Sequence, residues 1–153
     1  MKRTLLISAC LLGISCRYDG KDNELSQNDL RILKDNFTLI PVCPEQLGGL
    51  STPRLPAEIQ EDEKVLRKDG VYVDLAFRKG AEAALMIAGL SDCNIALMKE
   101  NSPSCGNNYI YDGNFNGSLI PGKGITVNLF EKNAIKVYNE NEIEKIIKEN
   151  TNV

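Results

Sequence analysis

Cys10, Cys43 and Cys105 each follow a short apolar run: TLLISA before the first, FTLIPV before the second, NIALM a few residues ahead of the third. If these runs are parallel strands of one sheet, the three thiols meet at its carboxyl edge, where open α/β sheets place their ligands. Sulfur donors gathered there, in a chain without histidine, suit soft metals, and zinc and iron–sulfur clusters are the usual choices. A structural zinc site commonly uses Cys-x-x-Cys pairs, and this sequence has none. Four ligands could still be assembled with Cys16, so spacing alone leaves both metals open.

The neighbouring residues extend the chemistry. Glu45 stands two residues after Cys43, close to any metal held there. Apolar Leu47 and Leu50 beside it would raise its pKa and make it a general acid or base. Ser102 and Ser104 flank Pro103 ahead of Cys105, to bond a substrate or to turn the chain. Arg17 would favour a thiolate at Cys16, and Arg17 and Arg54 could each bind an anionic or carbonyl group. Cys16 itself is open between a fourth ligand, a sulfur-accepting thiol and a structural role. Cys93 precedes its strand and belongs at the opposite, amino edge, as a buried small hydrophobe.

These residues need a scaffold. The pattern predicts strands at about 4–9, 37–42, 94–98 and 135–138, and helices at about 26–35, 76–90, 123–132 and 140–149, the first opened by Ser26 as N-cap. Pro44 ends the second strand and restricts Cys43 to extended backbone. Residues 44–70 read as an irregular excursion of the kind that is usually functional, followed by a short β piece at GVYVDLA. Asp112-Gly113 and Asn116-Gly117 mark tight, hairpin-like turns. Strands alternating with helices argue for a single-domain, Rossmann-like three-layer α/β fold over residues 1–153, with a mostly parallel sheet and a loop-rich active edge.

Composition narrows the classes further. A formal net charge of −3 and a pI near 5.1 remove the basic footprint of a general nucleic-acid binder. Five cysteines, an odd count in a chain with ample apolar residues, argue for reduced thiols in the cytoplasm over a disulfide framework. Only six residues, Thr4 to Ala9, separate Lys2-Arg3 from Cys10, short of a signal-peptide apolar region. Cleavage there would also delete a central strand. No run approaches a transmembrane span, so no membrane partner is expected.

The blocks SACLLG, CRYDG, PVCPEQLGGLSTPR, SPSCG, IYDGNFNG and GKGIT, in this order between residue 8 and about 126, resemble a bacterial thiouracil desulfurase-like family, long catalogued as a domain of unknown function. The resemblance implies a [4Fe-4S] cluster held by three cysteines, Cys10, Cys43 and Cys105, with one open iron for the sulfur of a thiolated pyrimidine. It also implies acid–base and substrate-contacting roles for Glu45 and Ser102. The activity implied is a non-redox desulfuration that releases sulfide. A cluster-dependent sulfur transferase and a non-catalytic zinc or cluster sensor are the competing readings, and oligomeric state is left open.

Overall fold

The computed structural model describes residues 1–151. Its centre is a four-stranded sheet of β1 (Arg3–Ser8), β2 (Phe37–Val42), β5 (Ile95–Met98) and β8 (Lys136–Asn139), in the order β2-β1-β5-β8, every neighbouring pair parallel. Between β2 and β5 lie the antiparallel pair β3 (Ala57–Ile59) and β4 (Val65–Arg67). A second antiparallel pair, β6 (Tyr109–Tyr111) and β7 (Leu119–Pro121), precedes β8. The chain runs outward from β1 to β2, then returns past β1 to β5. That reversal opens a crevice at the carboxyl ends of β1, β2 and β5, the switch point where such sheets take ligands.

Two helical layers cover the sheet. Alternation along β1 sends Leu5 and Ile7 into one core with Leu33 of α1 (Gln27–Asn36) and Ile146 of α5 (Ile143–Asn150). Leu6 faces the other way, onto Ala84 and Ala88 of α3 (Asp74–Leu90) and Phe130 of α4 (Ile125–Lys132). A strand buried on both faces is apolar throughout, and β1 is buried from Leu5 to Ser8. It is the interior strand the sequence predicts. Ser26 caps α1, its side chain accepting from the Asp29 N–H.

Most boundaries shift by one or two residues from expectation, and some differences have a clear local cause. GVYVDLA forms no strand: Tyr72 makes one isolated bridge to Leu66, and α3 starts at Asp74. The last helix starts at Ile143 because Asn139 Oδ1 accepts from the Asn141 N–H and Glu142 Oε1 accepts from the Asn139 N–H, which hold the preceding residues in a turn. α4 starts at Ile125, after Gly124 packs against the backbone of Ser104 and Cys105. The excursion at 44–70 contains the single-turn helix α2 (Pro44–Leu47) and the β3–β4 hairpin.

The placement of α2 depends on two glycines. A Cβ on Gly80 of α3 would overlap the Pro44 carbonyl, and one on Gly48 would overlap that of Ala76. Backbone meets backbone there, so no side chain can yield. Gly80→Ala is expected to cost about 3 kcal/mol, the upper end for overpacking, and to displace the Cys43–Glu45 segment. A lowered denaturant midpoint checks it. Among the described residues no helix is long and apolar enough to cross a membrane.

Candidate active site

The structure brings the predicted cysteines to one place. Cys10 lies in the short 3-10 turn Ala9–Leu12 directly after β1, Cys43 caps α2 directly after β2, and Cys105 sits in the loop after β5. All three, with Cys16 and Glu45, line one cavity of about 420 Å³. Cys93 lies at the far end of the sheet, its thiol against the Thr4 and Ile95 carbonyls.

The thiols differ in character. Cys16 lies beside Cys10 and Cys43 in the cavity wall, and its pKa is pushed well up by those two neighbours before burial adds to them. It lowers theirs in turn. Cys10 falls below an ordinary thiol through Cys16, helped by Asn23. Cys43 is lowered to about 6 by the same neighbour, then by the Gln46 N–H and Arg54. Burial raises Cys105 to about 12, with Ser8 pulling the other way. The expectation that Arg17 makes Cys16 a thiolate is therefore corrected. The Arg17 guanidinium is spent on Asp19, Asn23 and the Asp22 carbonyl.

Arg54 is also committed within the protein. Its Nε donates to Glu45 Oε1 at 3.1 Å, Nη1 to Thr52 Oγ1 and the Ser51 carbonyl, and Nη2 to the Cys16 carbonyl at 2.9 Å. The pair is largely enclosed, the side chains 8% and 17% exposed for Arg54 and Glu45. Burial raises the Glu45 pKa, and Arg54 holds part of that rise back. The expected apolar neighbours contribute less directly, since Leu47 points to solvent and Leu50 packs against the cluster around Phe77.

Ser102 has a turn-forming role, its Oγ accepting from the Ser104 and Cys105 N–H groups at 3.1 and 3.0 Å. It also lines the cavity, and among the described residues its hydroxyl donates to no protein acceptor. Ser104 is buried against Thr126 and has no access to the site.

Sequence reading missed Glu100. Its buried Oε1 accepts from the N–H groups of Asn101, Asn107, Asn108 and Tyr109, and Oε2 accepts from Asn139. One carboxylate thus ties down the loop that carries Ser102 and Cys105. The signal available was a lone glutamate at a strand end, which reads as surface. Glu100→Gln would turn an amide donor onto donors at one oxygen or the other. The expected loss is about 2 kcal/mol, with faster amide exchange at residues 101–109.

The donor set fits an iron–sulfur cluster. Cys10 and Cys43 are already biased to thiolate, and a coordinating metal deprotonates a buried thiol such as Cys105 outright. Among the described residues no three His, Cys, Asp or Glu side chains are grouped around a position for a single ion. Cysteines that each ligate a different iron have no need to converge on one atom.

The 2-thiouracil desulfurase family model matches residues 5–142. YbbK of Bacillus subtilis (strain 168), itself uncharacterized, is 39% identical over 152 residues, covering 94% of this chain and 99% of that one. A solved structure of the [4Fe-4S]-dependent thiouracil desulfidase TudS is 39% identical, with a TM-score of 0.92 over 97% of each chain. With a match over most of its length and the same architecture, the chain belongs to the 2-thiouracil desulfurase family, enzymes acting on carbon–sulfur bonds.

Proposed function

We propose that this protein replaces the sulfur of a thiolated nucleobase such as 2-thiouracil by oxygen from water, releasing sulfide with no net redox change. The observation that carries the reading is the cavity at the switch point, where thiols from three strand ends share a wall with an enclosed carboxylate. Cys10, Cys43 and Cys105 would hold a [4Fe-4S] cluster, leaving one iron without a protein ligand. When bound, such a cluster supplies a thiophilic Lewis acid that polarises the carbon–sulfur bond and improves sulfur as a leaving group.

The remaining work falls to the chain. Glu45, as carboxylate, takes a proton from the attacking water and, as acid, returns it to the departing sulfur or a ring nitrogen. Arg54 fixes the carboxyl through Nε on Oε1, while Oε2 accepts from no group among the described residues. Ser102 has its O–H proton available to a ring oxygen or nitrogen. The balance closes as thiocarbonyl plus water giving carbonyl plus hydrogen sulfide. No oxidant or reductant enters.

Cys16 lends specific support to sulfur transfer as a second reading, because its thiol lies beside both Cys10 and Cys43 inside the cavity. Thiocarbonyl sulfur is already at the sulfide level, however, so a persulfide on Cys16 would call for a two-electron oxidant, and hydrolysis calls for none. One experiment separates them. Anaerobic, cluster-loaded protein given 2-thiouracil is expected to release sulfide and uracil in equal amounts without redox additives. No sulfide, or sulfur retained on Cys16 by mass spectrometry, overturns the hydrolytic reading.

A further inference from the structure

Phe115 is a large aromatic residue placed against its local preference. Its φ is 55°, a left-handed conformation that bulky residues rarely adopt and that persists where surroundings over-determine it, commonly at ligand clamps. The surroundings here are specific. Glu58 of β3, itself buried, accepts on Oε1 from the Gly113 and Phe115 N–H groups at 3.0 and 3.2 Å, and Gln60 Nε2 donates to the Gly113 carbonyl at 3.0 Å. Asp112 and Asn116 close the flanking turns onto the N–H groups of Asn114 and Ser118. The β6–β7 tip is thus lashed to a different hairpin.

The held side chain serves no core. Phe115 joins none of the three apolar clusters among the described residues. It lines the cavity that contains the four thiols and Glu45. We propose, resting on the function proposed above, that Phe115 is a specificity residue whose ring face receives the flat ring of the thiopyrimidine, and that Glu58 is the positioning residue that presents it. A polar thiocarbonyl alone would need no aromatic wall. A planar heteroaromatic ring gains from stacking, by a factor typical of base–aromatic contacts.

Equilibrium binding tests this. The Glu45→Gln protein, loaded anaerobically, is titrated with 2-thiouracil and the visible absorption of the cluster gives Kd. Adding Phe115→Ala or Phe115→Leu is expected to weaken Kd on the order of tenfold, whereas Phe115→Tyr keeps it within about threefold of the parent. Glu58→Ala is expected to reproduce the loss, and Glu58→Gln, which retains the accepting oxygen, to avoid most of it. A Phe115→Ala protein that binds like the parent, or Leu restoring binding as well as Tyr, overturns this inference and leaves the proposed reaction standing. A parent protein that binds no 2-thiouracil refutes both.

Discussion

Cys10→Ala, Cys43→Ala and Cys105→Ala proteins, purified without oxygen, are each expected to emerge colourless, with iron and sulfide near background and no desulfuration. The parent protein is expected to be brown. Each cysteine lies at the end of a different strand or in the loop that follows it, so none of the three can stand in for another, and Cys16, a further thiol of the same cavity, is tested by its own variant. The scaffold should survive. Removing one sulfur from a buried position (Cys10, Cys105) or a half-buried one (Cys43) costs about 1 kcal/mol or less, and the circular dichroism of all three should match the parent. Cys93→Ala is the control, because its thiol lies at the other end of the sheet.

Cys16→Ala is the informative companion, expected to retain a cluster that is lost more readily. Its thiol is the neighbour that lowers Cys10 and Cys43, and thiols that are harder to deprotonate bind metal less firmly at a given pH. Complete loss of iron from Cys16→Ala would make it a fourth ligand, and the open iron would go with it. Colourless parent protein that binds one zinc ion would refute the cluster itself.

For Glu45→Gln, the expected result is full cluster content with turnover reduced by about 10²–10⁴, the range of a lost general acid–base. The amide is close in shape and still offers Oε1 to the Arg54 Nε that holds the carboxylate at 3.1 Å, so packing and ligand binding should change little. What disappears is a proton that can be taken and returned. The measurement is single-turnover sulfide release alongside an iron count. Unchanged turnover removes Glu45 from the reaction, and loss of iron in this variant would assign it to cluster retention instead.

Much of the fold follows from local pattern. β2 falls where FTLIPV and the following proline place it, at Phe37–Val42, and Ser26 caps α1 as its position suggests. Such features depend on residues within a turn or two of each other, which a linear reading samples directly. The parallel sheet follows from the alternation of elements, and the meeting of Cys10, Cys43 and Cys105 follows from the sheet. GVYVDLA fails as a strand because Asp74 already opens α3, a competition between two local preferences that helix packing decides.

The sequence by itself determined the sulfur-rich, histidine-free donor set, its place at the carboxyl edge of a parallel sheet, and Glu45 beside it. Tertiary structure alone decided how those groups behave. Cys16 came to lie beside Cys10 and Cys43, Arg54 turned onto Glu45 and the Cys16 carbonyl, Glu100 gathered a loop, and Glu58 seized the tip bearing Phe115. The physical reason is separation along the chain. Arg54 and Cys16 are 38 positions apart, Phe115 and Glu58 are 57, and hydrogen bonds over such spans form only after loops have closed and the packed sheet has fixed which side chains share a cavity.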